Sequence, residues 1–402
     1  MNTSIVVLGC GPAGVTAALG LRRLGYAVTV IGEPRNYPVI EGISARVCES
    51  LHKNGLRHAL QTASQPVRRY AIWNGEVRDT NTEVLVWRPE FDAALLEDLH
   101  AADVAVLNLR INAVQQVGSH YIVDCGAGDK RREVGAQFVV EARGRAAKLT
   151  SRVRVRGSET VSVAMNWRCE TDQPFTAAAS TEQGWMWLAR NMQGRLFVQF
   201  TTYAKNPALP GKSEIPGLIE QQLQQVQLPP AVSVQNRVAT GAALARSSTP
   251  ILVQEPLGDN YLRVGDAAMA VDPLSGNGIF LSLSSALIAP AVINTLLQRP
   301  ADASLAGDFY RERLERQFFR FARVGRDFYQ LEKRWPDSAF WQPRRLWPDA
   351  LPAHTEQDRV LGKALKPVVN HGFIERKQVV LTEDQPMGIW QGAEKILEQT
   401  DG

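Results

Sequence analysis

The sequence has few cysteines, no long apolar run and little excess charge. Its four cysteines (Cys10, Cys48, Cys125 and Cys169) lie far apart without CxxC spacing, which argues against a zinc knuckle or a disulfide framework and fits a reducing compartment. The longest apolar runs, such as 286–297, fall short of the ~18 residues of a membrane span. The 45 basic and 41 acidic residues give a net charge of +4, so we expect neither a membrane nor a nucleic-acid partner.

The N-terminus also lacks a basic stretch and a small-residue cleavage site, so we expect no signal peptide and a cytoplasmic location. No metal site is expected, and none of the six histidines falls in a recognised motif, so no catalytic side chain is assigned.

The 402 residues, 45% of them hydrophobic, exceed one average domain of ~100–200 residues. We therefore expect two or three domains.

The N-terminal segment has the pattern of a dinucleotide site. The apolar run Ile5-Val-Val-Leu8 leads into Gly9-Cys-Gly-Pro-Ala-Gly14 and then an apolar helical run, in the strand, glycine turn and helix order that such sites require. The turn glycines allow tight packing and close approach to a pyrophosphate at the helix start. Glu33 follows a second strand and can accept hydrogen bonds from a ribose. NAD and FAD both fit the candidate residues Gly9, Gly11, Pro12, Ala13, Gly14 and Glu33.

A second glycine-rich segment follows the strand-like run Tyr261-Leu-Arg-Val264. It reads Gly265-Asp-Ala-Ala-Met-Ala-Val-Asp-Pro-Leu-Ser-Gly-Asn-Gly278 and is followed by a helix of small apolar residues. Taken alone, Asp266 fits a turn or helix N-cap as well as a ligand-binding role.

This second segment resembles the flavin-ribityl motif of the FAD-dependent hydroxylases built like p-hydroxybenzoate hydroxylase, and Asp272-Pro273-Leu274 is similar to their tryptophan-halogenase-like branch. The resemblance implies FAD as the cofactor, with Asp266 on a ribityl hydroxyl and the backbone of 274–279 beside the isoalloxazine. Helix and backbone N–H groups there would stabilise reduced flavin. The residues that it assigns to the cofactor are Asp266, Pro273, Gly276, Asn277, Gly278 and Ile279.

The resemblance extends to three shorter segments. Arg46 stands where the family places an arginine near the flavin diphosphate, although a surface arginine would fit as well. Arg88-Pro-Glu-Phe-Asp92 is similar to the RxxFD element that opens a helix beside the cofactor. Val139-Val-Glu-Ala-Arg-Gly-Arg145 resembles the strand-ending DATGR element, with Glu141 for Asp and Arg143 for Thr.

The implied fold is α/β: a glutathione-reductase-like, Rossmann-type FAD-binding domain, a mixed-sheet substrate domain and a C-terminal helical extension. The expected FAD-binding domain is discontinuous and takes residues 1–70, 88–150 and 246–300. The substrate domain takes 71–87 and 151–245, and the C-terminal helical region takes 301–402.

Gly184-Trp-Met-Trp187 resembles the first half of the halogenase GWxWxIP motif, but Leu188-Ala-Arg190 replaces its end. The lysine that halogenases need near the flavin is also missing, since no lysine lies between Lys53 and Lys130. We therefore expect hydroxylation rather than halogenation. Trp185 and Trp187 share one face of a strand, as core residues or as walls of a substrate cavity.

The source of electrons stays open. Classical hydroxylases of the family carry an ADG element that helps to accept NAD(P)H, whereas this chain has Ala142-Arg-Gly144. No second GxGxxG motif is present. Either NAD(P)H reduces the flavin directly or a separate flavin reductase supplies the electrons.

The C-terminal part has an amphipathic helical pattern in which aromatic and leucine side chains recur near a 3.6-residue period, at Tyr310, Leu314, Phe318, Phe321, Phe328, Leu331 and Trp335. Residues 311–345 contain ten basic and five acidic side chains. This charge is typical of a solvated helix face, or of a docking surface for an acidic partner that includes Arg344 and Arg345.

The ending Arg334-Trp-Pro-Asp-Ser-Ala-Phe-Trp-Gln-Pro-Arg-Arg345, with Glu41-Gly-Ile-Ser-Ala-Arg46, resembles the flavoprotein monooxygenases of tryptophylquinone biogenesis. These mature quinohaemoprotein amine dehydrogenase or lysine- and glycine-oxidase-type quinoproteins. The resemblance implies hydroxylation, through a C4a-hydroperoxyflavin, of a tryptophan in a quinoprotein subunit precursor. The alternatives are a hydroxylase of a small aromatic or indole metabolite and a non-catalytic flavin-binding chaperone of a quinoprotein.

Overall fold

A computed structural model describes residues 3–147, 149, 153–170, 173–206, 209–353 and 360–382. Its helices are α1 Pro12–Arg23, α2 Ala45–Lys53, α3 Arg57–Gln61, α4 Arg88–Ala101, α5 Ile215–Gln224, α6 Gly278–Gln298, α7 Ala303–Leu331 and α8 Trp341–Leu346. The strands of the first half are β1 Ser4–Leu8, β2 Ala27–Ile31, β3 Ile40–Ile43, β4 Val67–Trp73, β5 Glu76–Trp87, β6 Ala105–Leu107, β7 Ile111–Val117, β8 His120–Cys125, β9 Arg132–Ala136, β10 Phe138–Glu141 and β11 Arg154–Arg156. Those of the second half are β12 Thr160–Cys169, β13 Phe175–Thr181, β14 Gly184–Arg190, β15 Arg195–Tyr203, β16 Arg237–Ser247, β17 Ile251–Val253, β18 Leu257–Gly258, β19 Tyr261–Arg263, β20 Met269–Ala270, β21 Val360–Asn370 and β22 Phe373–Thr382.

The first large sheet has the strand order β18-β19-β10-β1-β2-β6. Its strands are parallel apart from β18, which pairs antiparallel with β19. Because side chains alternate across a strand, β1 directs Ile5 and Val7 toward the core of α1, α4 and α6, and Val6 and Leu8 toward the β7-β8-β9 sheet. This layered α/β arrangement confirms the predicted fold class and places the carboxyl ends of β1 and β10 side by side.

The second large sheet has eight strands in the order β16-β12-β15-β14-β13-β4-β5-β3. Helix α5 covers one face, where Met186 and Leu188 of β14 pack with Ile219. Trp187 and Phe197 lie on the other face, which turns toward the first sheet. The sheet is mixed, since β4 and β13 run parallel while β12, β14 and β15 run antiparallel.

Helix α6 is long and apolar enough, by length and composition, to cross a membrane. The apolar run 286–297 seen in the sequence therefore underestimated the length of this apolar segment. In the structure 72% of its most apolar window is buried. It packs against α1 at Gly20, where a Cβ atom would lie 2.5 Å from the Pro290 side chain, and it also contacts α7. Helix α6 is therefore a core helix of the part of the chain that the structure describes.

The C-terminal region is helical only as far as Leu346. Strands β21 and β22 then form an antiparallel hairpin, which corrects the expectation of a helical region up to residue 402. The hairpin is held on α6 by backbone groups that bond to side chains: Ile374 N–H donates to Thr295 Oγ1 (2.8 Å), and Asn294 Nδ2 donates to the Gly372 carbonyl (2.8 Å). Residues 354–359 and 383–402 of the predicted region lie outside the described residues.

The buried stripe of α7 also differs from the expected one. Phe328 is 41% exposed and Leu331 is 59% exposed, whereas Tyr329 is buried. The stripe runs from Phe318 through Ala322 and Gly325 to Tyr329, because small residues continue it between the large ones. A pattern built on aromatic residues alone therefore follows the wrong face in the last turns of the helix.

Part of the basic charge of 311–345 is paired within the chain. Arg311, Arg323, Arg326 and Arg334 form ion pairs with Asp308, Asp349, Asp327 and Glu332, respectively. Arg344 is buried and donates to the carbonyl oxygens of Phe340 (2.7 Å) and Glu159 (2.9 Å), and Arg345 donates to the Glu332 carbonyl (2.5 Å). The prediction that Arg344 serves partner docking is therefore wrong, because this side chain is buried and holds the C-terminal segment on the fold. For the half-buried Arg345 the docking role stays a prediction.

Glu332 is a fully buried carboxylate at the end of α7. Burial alone would raise its pKa, but hydrogen bonds from Arg334, Ser180 and the backbone N–H groups of Arg334 and Asn74 lower the pKa to about 2. A carboxylate stabilises the fold when its pKa is lower in the folded than in the unfolded protein. This stabilisation is complete at a pH above the pKa of the unfolded state, and it is lost as the pH falls toward the pKa of the folded state.

We therefore expect Glu332→Gln to lower the free energy of unfolding at pH 7 by about 3 kcal/mol, the equivalent of roughly two pKa units. The deficit relative to the native protein should shrink as pH falls from about 4.5 toward 2, because the native carboxylate becomes protonated. Urea unfolding at pH 7 and pH 3 measures it. Glu312→Gln, at an exposed position of α7, is the control and should change little at either pH. A deficit that stays constant with pH would contradict the assignment.

Candidate functional site

The N-terminal glycine turn is closed by backbone contacts that leave no room for side chains. Gly9 has φ 111°, and a Cβ atom there would lie 2.7 Å from the Ala142 carbonyl oxygen. A Cβ atom at Gly14 would lie 2.0 Å from the Gly9 carbonyl oxygen. Gly11, the N-cap of α1, has nothing within 4 Å of the corresponding position. The turn is therefore packed on its inner side and open in front of the helix N-terminus, as a pyrophosphate requires.

The second glycine-rich segment lies directly against the first. A Cβ atom at Gly265 would come within 2.7 Å of the Ala13 side chain, and Gly265 N–H donates to Ser285 Oγ (2.8 Å). The Asp266 carboxylate faces an open cleft and keeps 38% of its side-chain exposure, with Arg145 Nε 3.6 Å away. The surrounding protein raises the pKa of Asp266 by removing it from bulk water, an effect that Arg145 opposes.

A cavity of about 360 Å³ extends from these two segments to the face of the eight-stranded sheet. The predicted site residues that line it are Gly11, Pro12, Ala13, Asp266, Pro273, Gly276, Asn277, Gly278, Ile279, Trp185 and Trp187. Gly9 and Gly14 lie behind this wall and shape it by packing.

Glu33 and Arg46 do not line the cavity. Glu33 is exposed just beyond the carboxyl end of β2, where the periphery of a dinucleotide would lie. Arg46 is exposed in the first turn of α2, and its guanidinium lies 5.6 Å from the centre of the Phe280 ring. The geometry leaves both as candidates for the outer part of the cofactor.

The donor set and the open surfaces fit FAD. Gly11, Gly276 and Gly278 each present open space where a side chain would stand, so the backbone at both ends of the cleft can approach a ligand closely. Asp266 lines the same cavity, where its carboxylate would accept hydrogen bonds from the hydroxyl groups of a ribityl chain. Gly11–Gly14 would hold the pyrophosphate, and the segment from Pro273 to Ile279 would lie beside the flavin ring.

Two arginines at this cleft were not predicted as site residues. A Cβ atom at Gly144 would meet the Arg35 guanidinium at 2.8 Å, so Arg35 lies over the segment that follows β10, and it lines the cavity. Arg145 donates to the Thr249 carbonyl (2.6 Å) and faces Asp266. Arg145 ends the DATGR-like element, so the motif contained its signal, whereas nothing near Arg35 in the sequence marks it.

The RxxFD-like element forms a buried ionic cluster with Glu41. Arg88 donates to Asp92 (2.8 Å) and to Glu41 (2.7 Å), and both Arg88 and Asp92 are buried. Burial disfavours the charge on Arg88, but the two carboxylates outweigh it and raise the pKa of the guanidinium. The cluster joins the start of α4 to β3 and thereby fixes one side of the cavity.

A chain of hydrogen bonds connects the wall of the cavity to the loop beside the flavin position. Trp185 Nε1 donates to Tyr329 Oη (3.2 Å), so the Tyr329 hydroxyl donates its own proton to Asp272 (3.0 Å to Oδ1). Asp272 Oδ1 also accepts from Leu274 N–H (2.9 Å). Burial raises the pKa of both Tyr329 and Asp272. The eight-stranded sheet (the substrate sheet), α7 and the segment 272–279 (the flavin loop) are thus joined at one point.

The comparisons with known proteins agree with this geometry. A family profile described as "Lycopene cyclase protein" matches residues 4–333. A solved structure titled "Peptidyl tryptophan dihydroxylase QhpG essential for tryptophylquinone cofactor biogenesis" is 42% identical, covers 100% of this chain and 94% of its own, and has a TM-score of 0.84. The chain therefore belongs to the family of the lycopene cyclase profile, and it is one of the FAD-dependent monooxygenases.

Other relatives of these FAD-dependent monooxygenases are halogenases. Tryptophan 2-halogenase of Chondromyces crocatus is 25% identical over 378 residues, which cover 86% of this chain and 71% of the halogenase. The flavin-dependent halogenase CmlS shares the fold, with a TM-score of 0.78 at 16% identity, covering 95% of this chain and 85% of its own. The predictions of FAD as cofactor and of a flavin monooxygenase are confirmed.

We expect Asp266→Ala to weaken FAD binding by about 1.5–3 kcal/mol, since it removes a charged acceptor of hydrogen bonds from the cofactor. Titration of the apoprotein with FAD, followed by flavin fluorescence, measures the loss. Asp259→Ala is the matched control, because Asp259 is exposed in the turn between β18 and β19. Equal affinities for FAD in the two variants would remove Asp266 from the cofactor site.

Tyr329→Phe should lower the free energy of unfolding by about 1–3 kcal/mol, because it leaves the buried Trp185 N–H without an acceptor and leaves Asp272 with the Leu274 N–H alone as donor. It should also shift the absorption spectrum of bound flavin, since the loop from Asp272 carries residues beside the ring. Tyr121→Phe is the control: its buried hydroxyl donates to the Asp259 carbonyl (3.1 Å), outside the residues that line the cavity. That variant should lose stability without a spectral shift. Identical spectra for both variants would show that Tyr329 does not order the flavin loop.

Proposed function

We propose that this FAD-dependent monooxygenase hydroxylates a tryptophan side chain of a quinoprotein subunit precursor during tryptophylquinone biogenesis. The observation that carries the proposal is the 42% identity, over the whole of this chain, to the peptidyl tryptophan dihydroxylase QhpG. Because the match includes the substrate sheet and α7 as well as the flavin site, it supports a shared class of substrate and not only a shared cofactor.

The walls of the cavity support an aromatic substrate. Trp187 and Phe197 meet edge to face with ring centres 6.1 Å apart, and Ala164 and Leu244 complete an apolar surface beside them. Such a surface suits the flat face of an indole ring, because aromatic rings pack favourably edge to face. The hydrogen bond from Trp185 to Tyr329 orients the Trp185 ring, which forms the wall of the cavity nearest to Asp272.

The same cavity supports hydroxylation over halogenation. The basic side chains among its described lining residues are all arginines: Arg35, Arg69, Arg88, Arg145 and Arg246. The broken end of the GWxWxIP-like motif has a structural role, since the buried Arg190 donates to the carbonyl oxygens of Gln173 (2.6 Å) and Ser233 (2.9 Å). The cavity therefore has no lysine among its described lining residues, whereas Arg190 lies on the opposite face of β14, over the Phe175 ring.

Bound and reduced FAD would supply two electrons to dioxygen: one oxygen atom would be inserted into a C–H bond of the indole to give a hydroxyl group, and the other would leave as water with two protons. The chain itself holds the reacting groups. Trp187 and Phe197 orient the ring, and the buried Leu274 and Ile279 exclude water at the loop beside the flavin. Electrons come from NAD(P)H or from a separate flavin reductase, and NADH and NADPH oxidation by the purified protein distinguishes these sources.

Two further features belong to the proposal. The four cysteines are all free, which supports the expected cytoplasmic location. The aromatic end of the cavity, beside Trp187 and Phe197, also suits a free indole, so hydroxylation of a small indole metabolite is the competing activity.

The test is mass spectrometry of an unmodified tryptophan-containing precursor subunit of a tryptophylquinone enzyme after incubation with the reduced protein and oxygen. We expect added oxygen on one tryptophan and no halogen in saturating chloride or bromide. Phe197→Ala should reduce the yield at least tenfold, because it removes one wall of the ring site, while Phe175→Ala on the same sheet probes general damage. Efficient oxygenation of free indole with an untouched subunit would overturn the proposal in favour of the competing activity.

A further inference from the structure

Strand β16 forms one edge of the eight-stranded sheet. It is 11 residues long, and among the residues that the structure describes only β12 pairs with it. Most of it is exposed, including Val238 at 71%. A strand of this length with a free edge presents a row of unpaired backbone N–H and C=O groups to another chain.

Apart from one bulge, the edge lacks the features that usually protect such strands. The segment Arg237–Ser247 contains no proline, lysine or carboxylate, and its middle consists of alanine, threonine and glycine. Both arginines are engaged: Arg237 pairs with Glu220, and Arg246 lies 3.5 Å over the centre of the Tyr37 ring. A bulge at Gly241 bends the strand, after which Leu244 resumes regular pairing opposite Ala164.

The direction of the free backbone groups follows from one hydrogen bond. Ser248 N–H donates to the Thr160 carbonyl on β12 (2.8 Å). Backbone groups along an antiparallel strand alternate between its two edges, so Leu244 and Arg246 also face β12. The N–H and C=O groups of Ala245 and Ser247 therefore point outward.

This free edge is continuous with the substrate cavity. The side chains of Leu244 and Arg246 line the cavity, and Ser247 lies at the same rim. Leu244 is opposite Ala164, which pairs with Gln199, and Gln199 pairs in turn with Trp187. One row of side chains thus leads from the edge to the aromatic wall.

We propose that β16 is the docking strand for the polypeptide substrate: an extended segment of the precursor subunit pairs with the outward groups of Ala245 and Ser247 and leads its tryptophan into the cavity. This inference rests on the proposed function, because a free indole would need no such edge. Pairing through backbone groups gives affinity without demanding a particular sequence, while the aromatic cavity selects the tryptophan.

Ala245→Pro tests the pairing directly. Proline removes the outward N–H and its ring obstructs an added strand, but it removes no bond to β12, since edge strands tolerate proline where the N–H faces solvent. Ala245→Val is the matched control, because it keeps the N–H and favours a strand. Binding of the fluorescein-labelled precursor subunit, measured by anisotropy, should weaken about tenfold in Ala245→Pro relative to Ala245→Val, with unchanged FAD content in both.

Hydrogen exchange of the unaltered protein gives a second measurement that needs no variant. The amides of Ala245 and Ser247 should exchange rapidly when the protein is alone and become protected when the precursor subunit is added. The docking proposal would be overturned if the two variants bound the subunit equally well. It would also be overturned if the subunit did not slow exchange at these two amides.

The remaining outcomes also decide. If Ala245→Pro alone melts at a clearly lower temperature than Ala245→Val, or changes the oligomeric state measured by light scattering, then the edge is already occupied by this chain or by a second copy, and the inference is wrong. If the subunit binds through the edge but gains no oxygen, the docking strand stands and the proposed reaction fails. If it gains oxygen equally with both variants, the reaction stands and the docking strand fails.

Discussion

The close approach of bare backbone at Gly9, Gly14 and Gly265 is the constraint on which the site depends. These glycines bring β1, α1, β10 and the loop after β19 to distances that a single methyl group would prevent. The contact between Gly265 and Ala13 fixes where Asp266 stands relative to the start of α1. Both ends of the cofactor cleft are therefore set by one packing arrangement, and a change at any of the three glycines would alter the distance between a phosphate site and a ribityl site.

The substrate side is tied to the same loop by the buried chain of Trp185, Tyr329 and Asp272. This chain lies in an apolar cluster with Leu274, Phe340 and Trp341, where hydrogen bonds have no competition from water. Because Asp272 caps the short helical turn that precedes α6, its position affects the backbone beside the flavin. The wall that we propose for the substrate and the loop that we propose for the cofactor consequently keep a fixed spacing, which transfer of oxygen from flavin to substrate would require.

The parts of the site that the sequence predicted are those whose requirement is local. Gly9, Gly14 and Gly265 are required by backbone geometry within a few residues, so a glycine motif reports them. Tyr329 was missed because Ala322 and Gly325 continue its stripe, and small residues give a weak periodic signal. Arg344 was misread because a guanidinium that bonds to backbone carbonyls of distant segments looks like a surface charge in the sequence. The hairpin of β21 and β22 was missed because the helical pattern of the preceding region was extended beyond its end.

The strand order of the first sheet has a consequence for how the chain acquires its cofactor. β1 pairs with β10 and β10 pairs with β19, so the central sheet joins residues near 5, 140 and 262, and Tyr329 and Trp341 complete the loop beside the flavin later still. During synthesis more than a hundred residues are added after β10 before β19 is available to pair with it. In this period the unpaired edge of β10 can form incorrect strand pairs. FAD can bind only the assembled arrangement, so each bound molecule shifts the folding equilibrium toward it. The cellular supply of FAD thus influences how much of this protein reaches the native state.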